Sequence, residues 1–220
     1  MELAGLQVSL RGSAPLAERR VALAPLGVGR ATSTKADCTL SHWRAGGRAA
    51  SVWRMFIQVF TTGGTIDKVY FDRLSEFQVG DPQVQEVLRP IHPAFEFGVE
   101  AIMRKDSLEL DDADRVAIRA RIEACAADRV LITHGTDTMR ETARALAGIA
   151  GKTIVLTGAL APARFKESDA VFNLGFAFAC VQLLPPGVHI AMNGSVFDPF
   201  RVRKNRELNV FEAEAGGTLR

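Results

Sequence analysis

From Met55 onward, short apolar runs alternate with longer amphipathic ones, and this order restricts the fold more than any other feature. The short runs have the length of strands, and the segments between them repeat apolar residues at helical spacing. Strands are predicted at 56–61, 95–103, 129–134, 153–159 and 188–193. Helices are predicted at 82–89, 111–127, 138–149 and 168–184. Strands joined by helices form parallel sheets, so the sequence predicts a three-layer α/β fold with helices on both faces of the sheet.

Several helix ends carry local signals. Thr138 and Glu141 have the spacing of a capping box, which predicts the start of the third helix. Gly151 is predicted to stop that helix. Pro185-Pro186 is predicted to end the fourth helix, because proline cannot continue the hydrogen-bond pattern.

Residues 1–54 differ in composition from the rest of the chain. They carry eight Lys/Arg and three Asp/Glu, whereas residues 55–220 carry nineteen and twenty-two. Because they show no sustained periodicity, we expect an irregular or disordered extension without function, with Met55 as the true start. A targeting segment, such as an Arg-rich transit peptide, is the alternative.

The composition of the chain argues against several classes of function, and the charge of residues 55–220 is the first indication. The mildly acidic balance gives no reason to expect a nucleic-acid partner. No apolar stretch reaches the roughly 18 residues that a membrane span requires. Cys38, Cys125 and Cys180 show no metal-site or disulfide spacing, which favours a reducing compartment, the cytoplasm. We expect neither a metal nor a cofactor.

Polar residues and glycines cluster where the predicted strands end. The loops concerned are 61–65, 133–138, 158–162 and 193–198. Ligands bind parallel sheets at the carboxyl ends of the strands, so this edge is the predicted site. The Gly63-Gly64 loop lacks the Walker and dinucleotide-binding patterns, which leaves a turn or a nucleophilic threonine as its function.

Other polar residues in these loops have both a structural and a functional interpretation. Thr136 and Asp137 lie at a helix N-terminus, where main-chain N–H groups favour an anion such as a substrate carboxylate. The alternative is that Thr136, Asp137 and Thr138 simply cap the helix. His134 is interpreted as a structural residue, and the acidic run 111–114 as the first turn of a helix. The basic run 201–206 is interpreted as a solvated face, from which one lysine can turn toward Asp137 and act as a base.

Four motifs then occur in one order: TTGGTIDK, ITHGTDTM, VLTGA and SDAVFNL. With them, the stretch from about Met55 to about Ala213 resembles the bacterial-type L-asparaginase family, and in particular its N-terminal domain. The resemblance implies hydrolysis of L-asparagine to L-aspartate and ammonia through a threonine acyl-enzyme. L-Glutamine is implied as a second substrate.

The resemblance also implies catalytic roles. Thr62 matches the nucleophile, and Tyr70 matches the tyrosine that helps to activate it. Thr136 and Asp137 match the second threonine and the aspartate that holds the substrate amino group. Lys204 matches the lysine that is paired with them.

Four further residues are implied to contact the substrate. Ser107 matches the serine that binds the substrate carboxylate. Ala159 lies where the main chain of the family meets the substrate amide. Gly63 and Gly135 belong to the two threonine motifs and complete the predicted binding residues.

One departure from the family is large. Full-length members have a second domain, which supplies an acidic residue to the site of a neighbouring subunit, whereas this chain ends at Arg220. We therefore expect a short form that works as a homo-oligomer. The alternatives are a non-catalytic module that binds an amino acid, an amidase subunit of a larger complex, and an inert fragment.

Overall fold

The structure, a computed structural model, describes residues 55–71 and 76–214. The extension predicted for residues 1–54 lies outside the described residues. The strands in the described ranges are β1 (Phe56–Gly63), β2 (Lys68–Phe71), β3 (Glu76–Val79), β4 (Glu96–Lys105), β5 (Arg129–Thr133), β6 (Thr153–Thr157), β7 (Gly187–Met192), β8 (Ser195–Phe197), β9 (Val202–Asn205) and β10 (Val210–Ala213). The helices are α1 (Val84–Leu88), α2 (Asp112–Glu123), α3 (Met139–Ala145) and α4 (Ala170–Leu183).

Six strands form the central sheet, in the order β4-β1-β5-β6-β7-β8. The first five strands of this order run parallel, and β8 pairs antiparallel with β7 at the edge. The predicted parallel α/β fold is therefore confirmed, with every predicted strand and helix present. β8 was not predicted, since it lies within the segment 193–198 that was expected to be a loop. Two further antiparallel pairs, β2 with β3 and β9 with β10, were not predicted either.

Alternate residues of the central strands point into two separate cores. In β1, Ile57 and Val59 pack on the side of α1 and α4. Phe60 packs on the opposite side, with α2 and α3. Because side chains of a strand alternate between its faces, a strand buried on both faces is almost continuously apolar, as Val130–Ile132 in β5 is.

The capping box predicted at Thr138 and Glu141 is wrong. Thr138 precedes α3, but its side chain makes no capping hydrogen bond. Its hydroxyl instead donates to the main-chain oxygen of Ser107, with the two oxygens 2.6 Å apart. The tertiary contact with the segment after β4 has replaced the local one.

The ends of α3 and α4 differ in how well they follow the sequence. The prediction that Gly151 stops α3 is wrong, because the helix already ends at Ala145 with Leu146 as its C-cap. α4 ends at Leu183, just ahead of Pro185-Pro186, as predicted.

None of the helices in the described ranges has the length and apolar character needed to cross a membrane.

The acidic run at the start of α2 is structural, as interpreted. The carboxylate of Asp111 accepts the main-chain N–H of Asp114, and the carboxylate of Asp114 accepts that of Asp111. Lys105 lies 2.8 Å from Asp114 and neutralises part of this charge. Within the described residues, no group of three or more His, Cys, Asp or Glu side chains is placed to hold a metal ion.

Candidate active site

Thr62 lies at the carboxyl end of β1, and it is fully buried. Its hydroxyl donates a hydrogen bond to the main-chain oxygen of Thr133, with the two oxygens 3.1 Å apart. Thr133 is the last residue of β5, the strand that pairs with β1. The Thr62 hydroxyl is therefore held between two strand ends of the rigid sheet.

Two glycines turn the chain away from β1 directly after Thr62. Gly63 and Gly64 have φ angles of +99° and +89°, a region that residues with a Cβ atom rarely adopt. A Cβ atom on Gly64 would lie 2.5 Å from the Cα atom of Gly135. The loops after β1 and β5 are thus in main-chain contact, and only a residue without a side chain fits at Gly64.

Ser107 lies on the other side of Gly135. It is buried and begins a 3₁₀ turn, Ser107–Glu109, directly after β4. A Cβ atom on Gly135 would lie 2.5 Å from the Ser107 Oγ atom, so the serine hydroxyl faces the loop after β5. The hydrogen bond from Thr138 to the Ser107 main chain fixes the turn in this position.

A second polar cluster is formed by Thr136, Asp137 and Lys204. The Lys204 Nζ atom lies 2.8 Å from Thr136 Oγ1 and 3.0 Å from Asp137 Oδ1. Lys204 reaches the cluster from β9, in the hairpin with β10. Because the ammonium group donates to the Thr136 oxygen, the hydrogen of that hydroxyl is free to be donated elsewhere.

A cleft of about 240 Å³ opens beside this cluster. Its charged lining consists of Asp137, Arg140, Glu141, Arg203, Lys204 and Arg206. Four of these six side chains are cationic, and Arg206 lies 3.7 Å from Asp137. The excess of positive charge favours the approach of an anionic ligand.

Ala159 follows β6 and is fully buried. The preceding residue, Gly158, packs so closely on the main chain of His134 that a Cβ atom there would overlap the His134 oxygen. The loop after β6 therefore lies directly against the loop after β5. This contact places Ala159 on the same edge of the sheet as the threonine loops.

His134 is a structural residue, as interpreted. Its Nδ1 atom lies 2.7 Å from the Gly135 oxygen, and its Nε2 atom lies 2.8 Å from the Thr142 hydroxyl. A carbonyl only accepts, so Nδ1 carries the hydrogen and Nε2 accepts from Thr142. Burial lowers the pKa of His134 to about 4. The ring is therefore neutral at pH 7, and it fixes the main chain that enters the Gly135 loop.

The structure brings most of the predicted residues to one edge of the sheet. Those residues are Thr62, Gly63, Ser107, Gly135, Thr136, Asp137, Ala159 and Lys204. Tyr70 lies in β2, shortly after the glycine turn, but its side chain is outside the described residues. Its predicted role therefore stays a prediction.

Asp67 is a residue near this edge that sequence reasoning missed. It ends a 3₁₀ turn after Gly64, and it is only 1% exposed. Its Oδ1 atom accepts the main-chain N–H of Gln83 at 2.9 Å, and its own main-chain oxygen accepts that of Gly80 at 2.8 Å. Asp67 thereby joins the two ends of the segment that contains β2 and β3. The sequence did not indicate that Asp67 is buried, because charged residues are mostly exposed and Asp67 lies beside Lys68 in a polar motif.

The ionisation of Asp67 makes stability depend on pH. Burial raises the pKa of the Asp67 carboxyl from its usual 3.8 to about 7. Since the folded chain holds this proton more tightly than the unfolded chain, protonation of Asp67 adds to the free energy of unfolding. This contribution is fully present below pH 3.8 and is lost as the pH rises through about 7.

We expect Asp67→Asn to raise the free energy of unfolding at pH 8 by about 2–4 kcal/mol, because the amide cannot ionise. The gain should shrink toward pH 5, where wild-type Asp67 is protonated. Urea unfolding at a series of pH values measures both quantities. The control is Asp128→Asn, which changes an exposed carboxylate. An equal gain for Asp67→Asn at pH 5 and pH 8 would contradict the assignment.

Comparison with known proteins identifies the family. A family model described as "Asparaginase, N-terminal" matches residues 56–219. The chain belongs to this asparaginase family. The L-asparaginase of Thermococcus kodakarensis is 34% identical over 119 residues, which cover 51% of this chain and 36% of that relative.

Two further relatives widen the comparison within the asparaginase family. A glutamyl-tRNA(Gln) amidotransferase subunit of Thermoplasma acidophilum is 33% identical over 150 residues, which cover 64% of this chain and 36% of that relative. The crystal structure of L-asparaginase I from Vibrio cholerae is 27% identical, with a TM-score of 0.65, covering 73% of this chain and 51% of that one. The chain thus spans only a third to a half of the length of these relatives.

Proposed function

We propose that the chain hydrolyses L-asparagine to L-aspartate and ammonia through an acyl-enzyme on Thr62. The observation that carries the proposal is the convergence of Thr62 with the Thr136–Asp137–Lys204 cluster at one sheet edge, in a chain of the asparaginase family. Two hydroxyls, an ammonium group and a carboxylate are the groups that two successive acyl transfers require.

In the proposed first step, the Thr62 oxygen attacks the carbon of the side-chain amide. The hydroxyl proton passes to the nitrogen, the C–N bond breaks, and ammonia leaves an ester on Thr62. Tyr70 is proposed to help remove the proton of the Thr62 hydroxyl. In the resting site this hydroxyl donates a hydrogen bond to the main-chain oxygen of Thr133. Main-chain N–H groups at Gly63 and Gly64 are proposed to stabilise the oxyanion, at about 3 kcal/mol per donor.

In the proposed second step, water attacks the ester carbon, the bond to Thr62 breaks, and L-aspartate leaves with the Thr62 hydroxyl restored. Thr136 is proposed to orient or activate this water, since Lys204 holds its oxygen at 2.8 Å and leaves its hydrogen free. Lys204 then serves as the proton relay.

The remaining predicted residues are proposed to bind the substrate. The Asp137 carboxylate would hold the α-ammonium group, and the Ser107 hydroxyl with Gly135 would hold the α-carboxylate. The Ala159 main chain would meet the side-chain amide. The cleft beside Lys204 supports this proposal, because Thr136, Asp137 and Lys204 line it and can meet a ligand there.

Ammonia release by the purified full chain tests the function. L-Asparagine and L-glutamine are supplied separately, and L-aspartate or L-glutamate is quantified alongside ammonia. We expect equal amounts of ammonia and amino-acid product from L-asparagine, and a slower release from L-glutamine. Folded protein that releases no ammonia from either amide would contradict the proposal.

A second candidate function is an amidase subunit that supplies ammonia to a partner. The relative named as a glutamyl-tRNA(Gln) amidotransferase subunit favours it. This candidate predicts a partner that co-purifies with the chain and raises ammonia release. Full turnover by the isolated chain would argue against it.

We also propose that the domain from Met55 onward is sufficient for activity, and that the chain works as a homo-oligomer in the cytoplasm. The free thiols of the buried Cys125 and Cys180 fit a reducing compartment. Assaying residues 55–220 beside the full chain tests the first point, and light scattering tests the second.

A further inference from the structure

The motif SDAVFNL has no role in the proposed chemistry, although its polar side chains point into the protein. Asn173 lies in α4 and is fully buried among apolar residues. A buried amide in an apolar helix is costly unless its donors and acceptor are all paired. The hydrogen-bond partners of the Asn173 side chain therefore indicate its structural role.

Asp169 and Ser168 fix the loop that follows β6. The Asp169 carboxylate accepts the main-chain N–H groups of Leu160 at 3.0 Å and of Ala161 at 3.1 Å. The Ser168 hydroxyl donates to the Ala161 oxygen at 2.9 Å. These contacts hold the main chain next to Ala159, which the proposed function places against the substrate amide.

Asn173 links this loop to the loop after β7. Its Nδ2 atom donates to the Gly158 oxygen at 3.1 Å and to the Asp169 carboxylate at 2.8 Å. Its Oδ1 atom accepts the main-chain N–H of Asn193 at 3.1 Å. Two acceptors on one side and one donor on the other fix the orientation of the amide, which neither aspartate nor leucine reproduces.

Asn193 carries the connection on to the hairpin of Lys204. It has a φ angle of +53°, and its Oδ1 atom accepts the main-chain N–H of Phe211 at 3.2 Å. Phe211 pairs directly with Lys204 between β10 and β9. A continuous set of hydrogen bonds therefore runs from the Ala159 loop through Asn173 and Asn193 to the hairpin that carries Lys204.

We infer that Asn173 and Asn193 are positioning residues, which set the Lys204–Thr136–Asp137 cluster at a fixed distance from the Ala159 loop. The inference rests on the proposed function for its effect on turnover. The geometry explains why two asparagines occupy these places. Neither is among the residues proposed to contact the substrate, and each acts through the main-chain groups that it holds.

Asn193→Gly is the first test, because glycine adopts the same φ and removes only the side chain. The matched control is Asn209→Gly, which changes another exposed asparagine, with a φ of +54°, in the turn between β9 and β10. We expect Asn193→Gly to lower kcat about 10-fold with little change in KM, since a small displacement of Lys204 affects the transition state. Asn209→Gly should leave kcat unchanged.

Asn173→Asp is the second test, because it keeps the shape of the side chain while placing a carboxylate 2.8 Å from Asp169. We expect kcat to fall about 10- to 100-fold. The control is Thr153→Val, which removes the partly buried hydrogen bonds of a buried threonine at the opposite end of the sheet. The double variant Asp169→Asn with Asn173→Asp should recover part of the loss, since the amide and carboxylate exchange places.

Hydrogen exchange separates this inference from the proposed function. We expect the Leu160 and Phe211 amides to exchange faster in Asn173→Asp, and only that of Phe211 in Asn193→Gly. This result is independent of whether L-asparagine is the substrate. Unchanged exchange at Phe211 in both test variants would overturn the inference. So would a loss of kcat in the controls Asn209→Gly and Thr153→Val as large as the loss in Asn193→Gly and Asn173→Asp.

Discussion

Replacing Thr62 with alanine is expected to lower ammonia release from L-asparagine by at least about 10³-fold. The proposed acyl-enzyme requires the Thr62 oxygen, which alanine lacks. Loss of the hydrogen bond to Thr133 costs about 1 kcal/mol, so the fold should persist. The measurement is turnover by the purified variant, together with its thermal unfolding temperature.

Two further substitutions make this prediction specific. Thr62→Ser keeps the hydroxyl and should retain part of the activity. Thr133→Val alters an equally buried threonine, whose hydroxyl has no hydrogen-bonding partner among the described residues. Valine should therefore leave stability unchanged or improve it, and activity should remain. Near-normal turnover by Thr62→Ala would exclude Thr62 as the nucleophile.

Replacing Lys204 with methionine is expected to lower kcat about 10²- to 10⁴-fold. The substitution keeps the approximate length of the side chain but removes the ammonium group that contacts Thr136 and Asp137. The Thr136 hydroxyl then loses its fixed orientation. Steady-state kinetics on L-asparagine measure the effect on kcat and on KM.

The matched control for Lys204 is Lys152→Met. Lys152 is also partly buried, and its Nζ atom donates to the main-chain oxygens of Cys125 and Ala127, which precede β5 at the far edge of the sheet. Its loss should reduce stability without a specific effect on turnover. If both variants lowered kcat equally, the role assigned to Lys204 would be wrong.

The inner strands of the central sheet could be predicted because they are buried on both faces. Runs such as Val130–Ile132 are continuously apolar. The β2–β3 and β9–β10 hairpins were missed for the opposite reason. β9, with Val202 buried and Arg203 exposed, lacks an apolar run long enough to mark a strand.

The direction of the Lys204 side chain shows why the sequence of a basic run does not reveal which of its residues contacts the site. Arg203 and Lys204 are neighbours in β9, so they point to opposite faces of the hairpin. Arg203 pairs with Glu212 at the surface, whereas Lys204 reaches Asp137. Both side chains line the cleft, and only the tertiary structure decides which of them reaches Asp137.

By itself, the sequence determined the parallel sheet, the loops that share one of its edges and the two threonine motifs within them. These follow from periodicity and from the common direction of parallel strands. The tertiary structure alone decided that Thr138 bonds to Ser107 instead of capping α3, that Asp67 is buried, and that Asn173 connects two loops. Each of these depends on a partner distant in the chain. The sequence around a polar residue does not indicate which distant group will form its hydrogen bond.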